Sequence, residues 1–155
     1  MQIQIDSREH KKELARIQGQ LHELGVDYFV SKLYVGDYMN LDNPRVVVDR
    51  KKDLLELSGN ICQQHERFQK ELTRARDAGI KIIILCEHGK DITCLEDVYF
   101  WENPRREKSP NATNGETLYK ALCTIRDRYG VLFEFCNKRQ TGKRIIELLG
   151  GDVGG

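Results

Sequence analysis

The chain has 155 residues, a length that suits one domain with a core of its own. Its 39% hydrophobic and 32% charged residues indicate a soluble, globular protein. With 25 basic and 24 acidic residues the net charge is +1, so any basic surface must arise from local segregation of charge. No apolar run approaches the roughly 20 residues of a membrane span, and we expect no membrane association and a cytoplasmic location.

The spacing of apolar residues predicts the elements in chain order. Apolar and polar side chains alternate over residues 2–5, as expected for a strand, and Asp6 or Ser7 can cap the helix that follows, which ends at Gly25. A nearly uninterrupted apolar run over residues 80–86 is typical of a central strand buried on both faces. The remaining predicted elements are a strand at 26–30, a hairpin at 34–53 with its turn at 41–45, helices at 61–78, 95–100, 116–129 and 141–149, and a strand at 131–136.

This order of strands and helices predicts an α/β fold, a three-layer sandwich with a central mixed sheet flanked by helices. We expect residues 1–150 to form a single domain and residues 151–155 a flexible C-terminal tail. Residues 103–115 are polar and rich in turn residues, and they predict a mobile loop within the domain rather than a boundary.

The predicted hairpin concentrates charged residues at one end. Asp37 opens its first strand, and Asp49-Arg50-Lys51 closes its second. Successive side chains of a strand alternate between faces, so Asp49 and Lys51 share one face and Arg50 lies on the other. If the strands pair, Asp37 approaches Asp49. Two carboxylates and an ammonium group then meet at one point, which is an arrangement for holding a divalent cation against a phosphate.

Such a cluster suits the hydrolysis of a phosphodiester, which needs an activated water, a neutralised phosphate and a stabilised leaving oxygen. Asp37 and Asp49 are the candidate metal ligands, and the backbone carbonyl of Arg50 could complete the shell. Lys51 would orient the water or stabilise the pentavalent phosphate. Hard oxygen ligands favour Mg²⁺, with Mn²⁺ as a substitute. The alternative is that these residues form a solvated strand end without a function, where ion pairs between them add little to the stability of the fold.

Three motifs occur in order along the chain: Asp6-Ser7-Arg8-Glu9, Gly36-Asp37-Tyr38, and Asp49-Arg50-Lys51 with Asp53. Together with residues 66–72 and the strand that ends at Glu87, they resemble the nuclease domain of the XPF-type structure-specific endonucleases, a branch of the restriction-endonuclease-like PD-(D/E)xK superfamily. The resemblance implies a restriction-endonuclease-like fold, metal binding by Asp37 and Asp49, and a catalytic role for Lys51.

The resemblance also implies that Asp6 and Glu9 belong to the catalytic site, close to the metal. Arg8 and Arg50 would contact phosphate or brace the carboxylates. Alternatively, Asp6 and Glu9 could only favour the N-terminus of the first helix electrostatically. The candidate DNA-binding residues are Arg8, Arg50, Lys52 and two loop residues near Trp101, Arg105 and Arg106.

Two positions depart from the family pattern. Asp49 stands where the family has glutamate, which is one methylene longer, and the later aspartate comes two residues early, at Asp53. We also find no helix-hairpin-helix module after the domain. The chain therefore resembles compact phage or mobile-element forms, which would have to bind DNA through the nuclease domain itself.

These features together predict a Mg²⁺-dependent DNA endonuclease that cuts branched or flapped DNA in repair or recombination. Because junction cutting usually requires two active sites in related orientation, we expect a homodimer. One alternative is a Holliday-junction resolvase of the same superfamily. Another is a non-catalytic DNA-binding module on a nuclease scaffold, although the intact acid–acid–lysine set argues against it. No small organic cofactor is expected, since Gly142-Lys143 lacks the rest of a P-loop.

Overall fold

The computed structural model of the protein describes residues 1–89 and 91–150. The strands in this part of the chain are β1 (Gln2–Ile5), β2 (Asp27–Val30), β3 (Tyr38–Asn40), β4 (Asn43–Lys51), β5 (Lys81–Cys86) and β6 (Leu132–Phe135). They form one sheet in the order β2-β1-β3-β4-β5-β6. β3 is antiparallel to both of its neighbours and the other pairs are parallel, so the sheet is mixed.

Helices cover both faces of this sheet. In the described residues they are α1 (Lys11–Glu23), α2 (Leu54–Cys62), α3 (His65–Asp77), α4 (Gly115–Tyr129) and α5 (Thr141–Leu148), with short 3₁₀ helices at Leu95–Phe100 and Pro104–Glu107. Val47 and Ile82 of the sheet share one core with α2, α3 and α4, whereas Val48 and Ile83 share a second with α1 and α5. The predicted three-layer α/β fold is confirmed. None of these helices is long and apolar enough to cross a membrane.

The region after β4 differs from the prediction of one helix over residues 61–78. The structure has two helices there, α2 and α3, which are separated at Gln63 and Gln64. Asp53 caps α2, because its Oδ1 accepts a hydrogen bond from the backbone N–H of Glu56 at 2.9 Å. The single-helix prediction is wrong, and the displaced Asp53 is an N-cap residue.

The start of the first helix also differs. Neither Asp6 nor Ser7 caps α1, which begins at Lys11 without a side-chain cap. The Asp6 carboxylate instead accepts hydrogen bonds from the backbone N–H of Leu33 at 2.8 Å and from Nε of Arg8 at 2.9 Å. The capping prediction is therefore wrong, since Asp6 fastens the end of β1 to the segment that precedes β3.

The predicted loop at 103–115 is closed at its base by Asn103. This buried amide donates to the carbonyl of Thr113 at 2.8 Å and accepts from the N–H of Arg105 at 2.9 Å. Asn114 then caps α4, which begins one residue earlier than predicted. The mobility of the loop and the single-domain boundary at 150 stay predictions, and the predicted tail at 151–155 lies outside the described residues.

Candidate active site at the end of strand β4

The β3–β4 hairpin places Asp37 against the end of β4. Tyr38 pairs with Val48, and the N–H of Asp37 donates to the carbonyl of Val48 at 2.9 Å. Oδ2 of Asp37 accepts from the backbone N–H of Arg50 at 2.7 Å. The carboxyl groups of Asp37 and Asp49 lie close enough for the charge of Asp49 to raise the pKa of Asp37. The approach of the two acids that the hairpin predicted is confirmed.

Gly36 makes this approach possible. Its φ is +79°, a conformation that residues with a side chain rarely adopt. A Cβ at this position would also lie 2.8 Å from Cγ2 of Val47, well inside van der Waals contact. The glycine before Asp37 therefore allows the chain to turn while lying directly on β4.

Side chains alternate along the end of β4 as predicted. Asp49 and Lys51 lie on the face that carries α2, α3 and α4, and Nζ of Lys51 is 3.5 Å from Oδ2 of Asp49. Both side chains are about nine-tenths buried, with 9% and 11% of their surface exposed. Arg50 points to the opposite face.

The electrostatics of the acid pair favour a cation. Burial raises the pKa of Asp37, and the negative charges of Asp49 and Glu9 raise it further, because two carboxyl groups this close resist losing both protons. Burial of Lys51 opposes its charged form, but Asp49 and Asp37 outweigh that cost and hold the pKa of the amine above its ordinary value. Lys51 thus remains an ammonium beside the acids.

These residues open into a cleft of about 260 Å³. Asp6 and the largely exposed Arg8 lie on its β1 side. Helix α3 supplies the other wall through Arg67, Glu71 and Arg74. Burial raises the pKa of Glu71, and the charge of Asp49 adds to the effect. We did not predict any of these three α3 residues for the site, although their spacing of three and four residues indicates a shared helix face.

A divalent cation fits the donors at this position. In the described residues no group of three or more His, Cys, Asp or Glu side chains is arranged to hold a metal. The two acids Asp37 and Asp49, which line one cleft, could supply two oxygen donors. A strand residue presents its N–H and C=O towards the same neighbour. The carbonyl of Arg50 therefore faces the side on which its N–H meets Asp37, and it can join the shell. Mg²⁺ and Mn²⁺ accept such oxygen donors together with water.

The opposite face of β4 holds a buried ion network centred on Arg50. Its guanidinium donates to both oxygens of Glu9, at 3.1 and 3.0 Å, and to Oε1 of Glu87 at 2.5 Å. The side chain is only 6% exposed, so it has no free surface for a phosphate. Of the two roles expected for Arg50, the structure shows bracing of carboxylates, and contact with DNA stays a prediction that this burial disfavours. Glu9 lies in this network rather than among the residues that line the cleft.

Glu87 joins this network to two helices. Its Oε2 accepts from Arg16 of α1 at 2.7 Å and from the hydroxyl of Thr141 at the start of α5. Arg16 also pairs with Glu13 at 2.5 Å. The sequence analysis named Glu87 only as the residue at the end of a family-like strand. Its contacts with Arg16 and Thr141 could not be predicted locally, because these residues lie 71 and 54 positions away.

The other candidate DNA-binding residues lie apart from the cleft. Lys52 is exposed at the end of β4. Arg105 and Arg106 are exposed on the 3₁₀ helix at Pro104–Glu107, where Arg106 donates to the carbonyl of Ala112 at 3.1 Å. None of the three lines the cleft, whereas Arg8 does.

The sequence matches the model of the ERCC4 domain over residues 5–149. The chain belongs to the ERCC4 domain family. These are the XPF-type nucleases that the motifs resembled, a family of structure-specific DNA endonucleases.

Solved structures support the same fold. XPF from Aeropyrum pernix matches with a TM-score of 0.68 and 21% identity, covering 96% of this chain and 63% of that one. The same protein in complex with DNA matches with a TM-score of 0.67 and 21% identity, covering 96% and 62%. The chain thus spans about three-fifths of the length of these XPF chains. No curated protein sequence matches it. The restriction-endonuclease-like fold is confirmed for this ERCC4 domain.

Proposed function

We propose that this ERCC4 domain is a catalytically active, Mg²⁺-dependent endonuclease that hydrolyses phosphodiester bonds in branched or flapped DNA. The observation that carries the proposal is the close approach of Asp37 to the buried Asp49, with the ammonium group of Lys51 3.5 Å from Asp49. A scaffold retained only for binding has no need to keep two acids and a lysine in such costly proximity.

Each residue of the cleft has a distinct role in this proposal. Asp37, Asp49 and the carbonyl of Arg50 hold the cation, and Mn²⁺ substitutes for Mg²⁺. When bound, the metal supplies Lewis-acid stabilisation of the phosphoryl oxygens and lowers the pKa of a bound water. Lys51 orients the attacking water and offsets the negative charge that grows on the phosphate. Arg8, exposed at the mouth of the cleft, contacts a neighbouring phosphate.

Asp6 and Glu9 support the site from outside the metal shell. Asp6 holds the guanidinium of Arg8 through two hydrogen bonds, at 2.9 and 3.2 Å, and so aims it across the cleft. Glu9 fixes Arg50 and accepts a hydrogen bond from the hydroxyl of Tyr38 at 2.9 Å. Both are positioning residues in this mechanism, and the charge of Glu9 also acts on Asp37.

The proposed substrate is DNA and the proposed assembly is a homodimer. One of the similar structures is a complex of an XPF protein with DNA, which supports DNA as the ligand of this domain. Cuts at a branch require a defined strand polarity at the cleft, and a homodimer would provide two cleavage sites in a fixed relation. Lys52, Arg105 and Arg106 would contribute sequence-independent contacts to the DNA backbone.

The decisive experiment is cleavage of end-labelled flap, fork and four-way substrates in Mg²⁺, in Mn²⁺ and in EDTA. Cutting should require the metal, and Asp49→Asn or Lys51→Met should lower the single-turnover rate about 10²-fold or more. Lys81→Met is the matched control for Lys51, because Lys81 is exposed at the opposite end of the parallel pair β4–β5. Metal-dependent cutting that survives both site variants would refute the assignment.

The products also separate the alternatives. One-sided cuts near a flap or fork support the proposed activity, whereas symmetric paired nicks across a four-way junction indicate a resolvase. Tight binding of all substrates without cutting in either metal indicates a non-catalytic DNA-binding module.

A further inference from the structure

A row of cations runs along the exposed face of α3, next to the cleft. Arg67, Lys70 and Arg74 follow one another at spacings of three and four residues, which places them on one side of the helix over about 10 Å. The opposite side of α3 carries its buried residues, Phe68 and Leu72 among them. We call the three cations the α3 stripe.

The α3 stripe forms no salt bridge in the described part of the chain, although most arginines near the active site do. Arg8 pairs with Asp6, and Arg16 and Arg50 are held by buried carboxylates. By contrast, no ion pair among residues 1–89 and 91–150 involves Arg67, Lys70 or Arg74. The charge of Arg74 acts on the neighbouring Glu71 without forming a salt bridge, so the three cations remain available to a ligand.

One member of the stripe is held in place by an aromatic ring. The guanidinium carbon of Arg74 lies 5.1 Å from the centre of the Tyr34 ring, a cation–π contact. Tyr34 is 60% exposed, just upstream of Asp37 in the chain. This contact restricts the Arg74 side chain on the surface that leads out of the cleft.

The surface along α3 is continuous with the candidate active site. Arg67 and Arg74 line the cleft that holds Asp37 and Asp49, and they also line an adjoining groove of about 770 Å³. Lys70 and Arg74 line a further groove of about 750 Å³ that reaches Tyr34. The acids Glu66, Glu71 and Asp77 also line these grooves, so attraction of an anion must come from the individual cations rather than from the net charge of the surface.

We infer that the α3 stripe is a binding track for the phosphate backbone of the DNA strand that passes through the cleft. A polyanion with regularly spaced charges fits a row of cations that form no salt bridges and that borders the cleft of the catalytic acids. The stripe is also the locally segregated positive charge that a chain of net charge +1 needs in order to bind DNA. Its contacts would position the strand without reading its sequence. This inference rests on the proposed function, because it assumes that DNA is the substrate.

The test is the salt dependence of DNA binding, measured in EDTA so that no cleavage occurs. Fluorescence anisotropy with a labelled duplex that carries a single-stranded flap gives the slope of log K against log salt over about 50 to 200 mM KCl. Each lost phosphate contact lowers the magnitude of this slope by roughly 0.7 to 0.9. The triple variant R67Q/K70Q/R74Q should therefore lower it by about 2 to 3, and each single variant by about 1.

A matched triple variant, R45Q/K81Q/R128Q, removes the same charge elsewhere. Arg45 and Lys81 lie at the start of β4 and β5, at the opposite end from the cleft, and Arg128 is in the last turn of α4. This control should lower the slope by less than 1. Equal slopes for the two triple variants would overturn the inference.

Cleavage separates the inference from the proposed function. If the wild-type protein cuts the same substrate in Mg²⁺ and the α3 triple variant keeps the wild-type slope, the inference fails while the function stands. If the wild-type protein binds with the expected loss of slope in the α3 variant but does not cut, the track is supported and the endonuclease proposal fails.

Discussion

Replacing Glu87 with alanine should destabilise the fold more than removing a partly exposed charge from the same sheet. The side chain is fully buried, and its two oxygens accept from Arg50, Arg16 and the hydroxyl of Thr141. The variant Glu87→Ala would leave one arginine with a buried guanidinium short of a partner and would loosen α1 and α5 from the sheet. The variant therefore tests whether the ion network of Arg50, on the face of β4 opposite Asp49 and Lys51, stabilises the fold around the site.

The magnitude follows from what each partner retains. Loss of one member of a buried ion pair costs about 3–5 kcal/mol. Arg50 keeps both hydrogen bonds to Glu9, and Arg16 keeps Glu13 and the carbonyl of Lys138. The lower end of the range is therefore expected, about 3 kcal/mol of unfolding free energy. With an m-value of about 2 kcal/mol per molar urea, the midpoint should fall by about 1.5 M.

The assay is urea unfolding at pH 7, followed by circular dichroism. Glu134→Ala is the matched control, because Glu134 pairs with Arg144 at a partly exposed position where ion pairs contribute less than about 1 kcal/mol. Glu87→Gln keeps the side-chain volume but turns one acceptor into a donor that faces an arginine, so we expect a loss close to that of alanine. If Glu87→Ala shifts the midpoint no more than Glu134→Ala, the network does not stabilise the fold as argued.

Three further predictions concern single positions of the site. Gly36→Ala should lower stability by about 1–3 kcal/mol and abolish cutting, because the new Cβ meets Val47 at 2.8 Å. Gly25→Ala is the control for backbone strain alone, because Gly25 has φ +71° but open space around it. Urea midpoints and cleavage rates should fall further in Gly36→Ala than in Gly25→Ala. Asp53→Ala should cost about 1 kcal/mol by removing the cap of α2 while cutting continues; lost cutting in a stable variant would contradict the cap assignment. Asp49→Glu should retain Mg²⁺-dependent cutting that Asp49→Ala loses, and the same loss in both would mean that the shorter side chain is required.

The elements with strong apolar periodicity could be predicted from the sequence. The run that became β5 and the alternation along β4 determined which face of the sheet each residue occupies, and hence that Asp49 and Lys51 are together. The antiparallel pairing of β3 with β4 then brought Asp37 to Asp49. All of these are local properties of strands, which a sequence expresses directly.

The predictions that were wrong concern acidic side chains that could either cap a helix or pair with another group. Asp6 precedes a helix and suits a cap, but a backbone N–H 27 residues away and the neighbouring guanidinium of Arg8 hold it instead. Asp53 resembled a displaced member of a catalytic motif, yet it caps a helix that was not predicted. Capping and ion pairing use the same carboxylates, so local sequence does not decide between them.

The α3 wall of the cleft was also beyond local prediction. Helical spacing can indicate the buried side of α3, where Phe68 and Leu72 lie, but it cannot show which exposed residues face another part of the fold. Only the packing of α3 beside the end of β4 brings Arg67 and Arg74 to Asp49. The tertiary placement of a helix is set by its buried side, and the function of its exposed side follows from that placement.

The alternation along β4 also explains why the charged motif requires partners on both faces of the sheet. A strand end that carries Asp49, Arg50 and Lys51 necessarily sends Arg50 into the core between β4 and the helices α1 and α5. A guanidinium buried there must be neutralised, and Glu9 and Glu87 perform this function. Because Glu9 also raises the pKa of Asp37, the bracing network and the acid pair are electrostatically connected through the strand. Arg50→Lys should then lower the cleavage rate although it preserves the positive charge. A single ammonium group cannot replace the forked guanidinium that binds Glu9 and Glu87 together.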